Sequence, residues 1–504
     1  MTLTAAAPAE TYRAPHWHDA LWRSLPGRLG HPRARRWVTR LPMLLLGAVL
    51  AALSLRLRNG ASADEALAVN AGRDLITQWV TGAPAAAHGD LLPGAPFLHP
   101  VLVAALDSLG GLFLVRAAGL ACVLAAMGLL AGAVAARAGH RAGVFSAAAF
   151  ALSAPVVLVG GLGTADAVAL LGLATALWAI AARRGPASAL AAGGLLALVP
   201  VVQYSTAVLV PVVLVAGAAL AGAGGLRRSA LAGGTAVLLT GAVHLLGAGP
   251  GARAWSDLLG AAPPSPQAWT TSAGWLLLDV GLLAALAVVA AVRLAGTGGR
   301  DAVLAAALLT GSAVFPAAQL WTGSAVAFDR HLAFSVLFLA PLAGLALTRM
   351  SRGVWRLGPV LLVLPVLVLF GVSRSGTVYA AWPDVRPVVA ELLADPVPGS
   401  YLASGTAAEA LAYHLGDQPG VRWADTYGLY ARGEDAVRVA VEDLHYSTIV
   451  LHSASTGSPA EDALEDVVQT ALHDNYTAYE LVAAIPASGV ADADVWLVYR
   501  QVAR

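Results

Sequence analysis

The chain contains no lysine, one cysteine and little charge: 12% of its 504 residues are Asp, Glu or Arg. An average soluble domain carries about 25%. So little charge excludes an ordinary soluble enzyme and a disordered chain. The lone Cys122 excludes an intrachain disulfide framework. Every fixed positive charge is Arg, in short clusters between apolar runs without interleaved aromatics, which argues against a nucleic-acid partner. The absence of Lys with abundant Ala and Gly fits a bacterial gene of high GC content.

What is present is apolar sequence. Hydrophobic residues make up 58% of the chain, and mean hydropathy is +0.70. Runs long enough to cross a bilayer recur over most of the length. The fold class expected is a polytopic α-helical membrane protein. About eleven spans are read. Their limits are 41–57, 112–136, 142–160, 164–182, 187–204, 206–224, 229–247, 272–292, 302–320, 331–347 and 358–372. Ala61-Ser62-Ala63 after the first span imitates a leader cleavage site, but Arg56 and Arg58 intervene, so that span is read as retained.

Arg clusters fall in alternate gaps: Arg33 to Arg40, Arg137/Arg141, Arg183/Arg184, Arg227/Arg228, Arg293/Arg300 and Arg349 to Arg356. The positive-inside rule makes these gaps cytoplasmic. The N-terminus is then cytoplasmic and, with an odd span count, the C-terminal part extracytoplasmic. Residues 1–40 read as a basic cytoplasmic tail, with Trp17, Leu21, Trp22 and Leu25 spaced either for an interfacial helix or within a disordered tail. Residues 41–373 form the membrane domain, with a long first outer loop over 58–111.

Residues 380–504 differ in character. From Asp384 onward there are 18 acidic residues and six Arg, a net of −12, so the preceding part carries +13. Strand and helix patterns alternate here. Strands are expected near Tyr401 to Ala403, Ser447 to His452, Tyr479 to Ile485 and Val495 to Tyr499. Helices are expected at Thr406 to Leu415, Glu434 to Leu444 and Pro459 to Asp474. This is a small α/β domain. It shows no Gly-rich phosphate loop, metal-ligand spacing or G-x-S-x-G motif. Trp423, Tyr427 and Tyr430 can stack on sugars or simply build its core, the reading we prefer.

Charged groups at membrane depth are costly and therefore informative. Asp64-Glu65 opens the first outer loop and offers a general base. Ser62-x-x-Glu65 equally spells a capping box, with Asp64 a first-turn acid. Thr164-Ala165-Asp166 repeats that choice at the outer start of the fourth span. Arg330 can hold a phosphate in bidentate geometry or snorkel to headgroups. His99 before Pro100 is a catalyst or a structural histidine. Gln203-Tyr204 ends the fifth span and can contact a headgroup or sugar. His244 and Asp279 lie near outer ends of apolar runs, and Asp107 and Arg116 are set to pair. These groups come from many spans, yet nearly all map to the outer half. That suits a polar substrate attached to a lipid.

Their order resembles a known family. An Asp64-Glu65 pair in a long outer loop precedes Phe97-Leu98-His99-Pro100, Arg116, Arg137 to Arg141, Leu152-Ser153-Ala154-Pro155, Gly163-Thr164-Ala165-Asp166 and Asp329-Arg330-His331. This looks like the GT-C glycosyltransferases, in the branch of protein O-mannosyltransferases and lipid A aminoarabinose transferases. The resemblance covers residues 41–372. It implies an enzyme of the bacterial plasma membrane, moving a hexosyl or pentosyl group from a polyprenyl-phosphate donor to the hydroxyl of an extracytoplasmic glycan, lipid or protein. It implies Asp64 as base beside Glu65, Asp166 near the site, and Arg330 on the donor phosphate. His331, His99, Gln203 and Tyr204 are further candidates for substrate. His331 stands where the family has an aromatic, and Phe97-Leu98-His99-Pro100 where it often has Tyr-Pro-Pro. The resemblance implies inversion at the anomeric carbon, while Asp64 and Asp166 by themselves also meet the two-carboxylate condition for retention. No spacing demands a cofactor, and Asp64 and Asp166 can accept a divalent metal. The alternatives are a transporter of a polar or lipid-linked substrate, an inactive partner subunit, and a ligase of whole glycans.

Overall fold

The computed structural model describes residues 32–82, 92, 94–95, 97–245, 266–322, 328–351, 358–380, 382–416, 418–455, 459–487 and 494–502. The expected interfacial helix around Trp17 to Leu25 lies outside them. So does the side chain of His244.

The membrane domain is helical throughout. Its first elements are α1 (Pro32–Ser54), α2 (Ala63–Thr81), α3 (His99–Ala138), α4 (His140–Ala151), α5 (Ala154–Gly161), α6 (Ala165–Ala182) and α7 (Pro186–Val202). A 3-10 turn, Tyr204–Leu209, leads into α8 (Val210–Leu220) and α9 (Gly225–Leu245). Then follow α10 (Pro266–Thr297), α11 (Gly299–Thr322), α12 (Phe328–Met350) and α13 (Leu364–Ala380).

Six described helices are long and apolar enough to cross a membrane, or seven if the bent pair α4 and α5 is one span. The chain is a multi-pass membrane protein. Each of the eleven expected spans coincides with a helix or helical pair, but several are shorter than a bilayer requires. These include the apolar parts of α1, α7 and the segment 204–220. Pro155 at the start of α5 accompanies the 68° bend after α4.

One span boundary agrees closely with expectation and one differs. The second span begins at Leu112 as expected: α3 is broken at Gly110 and Gly111, where Gly111 has φ +62°, and residues 99–109 before the break form a separate helical segment. The segment after the break, residues 112–138, is about 40 Å long and is enough to cross the hydrocarbon thickness of about 30 Å. The final span continues past Val372 to Ala380.

The Arg-rich gaps gather at one end of the bundle. Arg137 pairs with Asp301 at 2.5 Å, and Arg141 donates to Ser351 Oγ at 3.0 Å. Arg228 donates to the Ile180 carbonyl, and Arg300 to that of Ala218. Between the ends lies an Ala- and Leu-rich core built on Phe150, Leu173, Phe334 and Phe338.

The C-terminal domain follows α14 (Arg386–Ala394). In chain order it holds β1 (Gly399–Ala403), α15 (Gly405–Leu415), β2 (Val421–Trp423), α16 (Thr426–Tyr430), α17 (Glu434–Glu442), β3 (Thr448–His452), α18 (Pro459–Asp474), β4 (Tyr479–Pro486) and β5 (Val495–Gln501). The sheet order is β2-β1-β3-β5-β4. β2, β1 and β3 are parallel, and β5 is antiparallel to both neighbours. Side chains alternate between two cores, as a period of two demands. Tyr401 and Val450 enter one with Trp496, while Leu402 and Ile449 enter the other with Val437 and Val468. The short β2, α14 and α16 were not expected from the sequence.

Candidate active site

α2 begins with the capping box that its sequence spells. Glu65 N–H donates to Ser62 Oγ, and Ser62 N–H donates to Glu65 Oε2. The same carboxylate is clasped further. Arg116 reaches it from α3 through Nε at 2.9 Å and Nη2 at 2.7 Å. The Gly163 N–H donates to Oε1 at 2.8 Å. Arg116 also donates to the Asn59 and Gly60 carbonyls. Glu65 is therefore fully engaged and 1% exposed. It is not free to act as a base; it ties the first loop to α3 and to the 161–165 turn.

The expected pairing of Asp107 with Arg116 does not occur. The break at Gly110-Gly111 lies between them and sends the two side chains to different partners. Asp107 instead accepts from Arg73 and from the Tyr413 hydroxyl, each at 2.7 Å.

Asp64, one residue before Glu65, points elsewhere. Its side chain is half-exposed and pairs with Arg330. Arg330 also lies 3.9 Å from Asp166. Asp166 is buried, accepting from Gln203 Nε2 and Thr164 Oγ, each at 2.9 Å. Thr164 thus bonds Asp166 and makes no side-chain bond to the helix backbone, contrary to its expected capping role. His331 Nε2 lies 3.9 Å from Asp166 and 3.4 Å from Gln203 Nε2. Its Nδ1 is 3.0 Å from Gln319. His99 is buried, hydrogen-bonded to the Gly163 backbone and within electrostatic reach of Asp166.

Asp64, Asp166, Arg330, His331 and Gln203 thus converge from four separate segments, and His99 flanks them. Tyr204 is half-buried, and no described contact joins it to the cluster. Asp64, Asp166 and Arg330 all sit in first helical turns, so the N-terminal ends of α2, α6 and α12 point into one space. The positive ends of their dipoles favour an anion there.

A divalent metal does not fit this arrangement. Arg330 occupies the space between the two carboxylates. Among the described residues no group of three or more His, Cys, Asp or Glu can hold a metal ion.

The C-terminal domain roofs the site by docking α15 on α2. Asn70 donates to the Glu409 carbonyl and carboxylate. Arg73 lies over the Tyr413 ring at 5.0 Å. Burial, then the bond to Asp107, pushes the Tyr413 hydroxyl well above the usual phenol range. Asp384 accepts from the Gly60 N–H and from Arg386. Burial opposes its charge, but those bonds hold its carboxyl below the ordinary range.

Sequence reasoning missed Gln319, Arg73 and Arg374. Arg374 pairs with Asp279 at 2.7 Å and lines a cleft between α10 and α13. Each sits in or beside an apolar run, and only the isolated polar residue signals it.

The fold is shared with solved structures. ArnT from Cupriavidus metallidurans bound to undecaprenyl phosphate superposes with a TM-score of 0.58 at 16% identity, covering 93% of this chain and 99% of that one. The archaeal oligosaccharyltransferase AglB from Archaeoglobus fulgidus, in complex with an inhibitory peptide and a dolichol-phosphate, gives 0.51 at 12% identity, covering 86% and 72%. The same enzyme tethered to an acceptor peptide gives 0.53 at 13% identity, covering 93% and 75%. Both are GT-C fold glycosyltransferases, and this chain has their fold. No protein-family model and no curated protein matches the chain by sequence.

Proposed function

We propose that the chain is a membrane glycosyltransferase that moves a sugar from a polyprenyl-phosphate donor to an acceptor hydroxyl. One observation carries this reading: Asp64, Asp166 and Arg330 meet at three helix N-termini beneath the C-terminal domain. An anion-favouring space beside a half-exposed carboxylate suits a lipid phosphate and a base. The likeness to ArnT and AglB, solved with undecaprenyl phosphate and dolichol-phosphate, supports it over a transporter.

Arg330 takes the donor phosphate, and Asp64 is the base. In the structure each neutralises the other. A donor phosphate competes for Arg330 and so frees Asp64. The carboxylate then accepts the proton of the acceptor hydroxyl as its oxygen attacks the anomeric carbon. The bond from that carbon to the phosphate oxygen breaks, and the polyprenyl phosphate leaves with its charge stabilised by Arg330. A single displacement inverts the anomeric centre. Asp166, held by Gln203 and Thr164, fixes the orientation of Arg330 and His331. Glu65 is a positioning residue acting through the first loop. The site and the C-terminal domain face the extracytoplasmic side, opposite the Arg-rich end.

The test is transfer by the purified protein in detergent. It is supplied with radiolabelled polyprenyl-phosphate monosaccharides and a membrane extract as acceptor. Release of polyprenyl phosphate with label on an acceptor is expected. Failure to consume any donor, in protein shown to be folded and supplied with competent acceptor, contradicts the reading.

A further inference from the structure

The cleft between α10 and α13 takes no part in the transfer chemistry. It is lined by Leu277, Leu282 and Leu283 of α10, by Leu367 and Phe370 of α13, and by Ser153 at the bend between α4 and α5. Counted to its open mouth it holds about 420 Å³. Leu277 and Phe370 are exposed, so in a membrane the mouth opens to lipid.

An ion pair joins the two walls. Arg374 Nε and Nη2 of α13 donate to Oδ1 and Oδ2 of Asp279 of α10, at 2.7 and 3.3 Å. The Asp279 side chain is 4% exposed and that of Arg374 19%. The pair leaves Nη1 over, and no acceptor meets it among the described residues. Arg374 lies six residues, about 9 Å, before the end of α13 that leads to the C-terminal domain. A side chain of its length reaches the headgroup level from there.

A second carboxylate stands beside the pair. Trp275, one turn before Asp279, meets Phe328 with ring centroids 6.4 Å apart. Asp329, the next residue, lies within electrostatic reach of Asp279 and Arg374. Its Oδ1 is buried with no hydrogen-bond partner among the described residues. Such an oxygen is costly and calls for a donor. Arg330 follows in the chain and adds its field, but its guanidinium is turned to Asp64 and Asp166.

The cluster thus offers N–H donors from Arg374 and an acceptor from Asp329 beside an apolar cleft. A matching ligand has a phosphate for the first, an N–H cation for the second and an acyl chain for the cleft. Two carboxylates against one guanidinium disfavour a headgroup that is only anionic. A quaternary ammonium has no N–H to donate to Asp329.

We propose that this cleft binds phosphatidylethanolamine from the surrounding membrane, its phosphate on Arg374, its ammonium on Asp329 and the upper part of one acyl chain between α10 and α13.

The test is native mass spectrometry of the full-length protein in detergent. The probes are dioleoyl phosphatidylethanolamine, phosphatidylcholine and phosphatidylglycerol. The ethanolamine lipid is expected to bind at least tenfold more tightly than the other two. Asp329→Asn should bring ethanolamine and choline lipids to about equal affinity. The double variant Asp279→Asn/Arg374→Gln removes both charges of the pair together, so neither is left buried alone. It should weaken ethanolamine lipid about tenfold, with helical circular dichroism unchanged. If the double variant does not fold, Asp329→Asn decides alone. Saturating undecaprenyl phosphate should leave the ethanolamine lipid bound. Binding that ignores the headgroup, or a preference that folded variants keep, overturns the proposal. So does displacement by undecaprenyl phosphate, which would assign the cleft to the donor lipid.

Discussion

Asp64 and Glu65 are adjacent carboxylates with different surroundings, and the two should fail differently when changed. Glu65 is buried with Arg116, so Glu65→Gln leaves an uncompensated buried charge. That is expected to cost about 3–5 kcal/mol, read as a lower Tm or loss of folded protein in detergent. Asp64→Asn should leave the Tm nearly unchanged and reduce transfer by about 10²–10⁴-fold. Glu465 adds a pH dependence. Its folded pKa of about 7 lies above the ordinary 4.5. Its contribution to stability is therefore fully present below about 4.5 and is lost as pH rises through about 7. Glu465→Gln should flatten this loss, so that above pH 7 its C-terminal domain melts higher than the wild type. Tryptophan fluorescence, with Trp423 and Trp496 in that domain, follows it. At this scale the capping box was legible because it is local, four residues long and chemically reciprocal. The partner of Arg116 was not. Nothing in the sequence says that Glu65, 51 residues earlier, takes the place of Asp107.

Among elements, the decisive contact is α2 lying on α3. Gly72 makes it possible: a Cβ there would sit 2.1 Å from the Pro100 carbonyl oxygen. Gly72→Val should push α2 away and carry Asp64 off Arg330. Transfer should fall at least tenfold while the rest of the bundle keeps its helical circular dichroism. Undiminished transfer in this variant would contradict the claim that α2 positions the base. The broken α3 was half legible. Gly110-Gly111 marked a boundary, and the span was expected to start just after it. The helical segment before the break lies within the long first outer loop, whose apolar and aromatic pieces, Trp79 and Phe97 among them, are those expected of helices along the membrane surface, but its limits could not be placed. The strands β1, β3, β4 and β5 were legible from alternation and turn residues. β2 has only three residues and leaves too short a pattern.

The whole molecule separates an Arg-lined end from a site end. The alternate-gap pattern of arginines made this separation legible before any helix was placed, because membrane insertion sorts positive charge by side. The sequence could not show that helices starting at Asp64, Asp166 and Phe328 meet, since that depends on packing across 266 residues. Topology put these groups in the outer half, and the family resemblance put them at one site. Sidedness has a direct test in a Cys122→Ser background. Glu442→Cys in the C-terminal domain should react with an impermeant maleimide in intact cells. Ala187→Cys, at the exposed start of α7 on the Arg-lined side, should react only after permeabilisation. The opposite pattern would invert the topology.

The most direct test of the central claim compares wild type and Asp64→Asn in one assay. It measures sugar transfer from a labelled polyprenyl-phosphate monosaccharide and, in parallel, undecaprenyl phosphate binding. The account predicts lost transfer with retained binding and an unchanged Tm. Transfer that survives Asp64→Asn would contradict it and return Asp64 to a first-turn acid that pairs with Arg330.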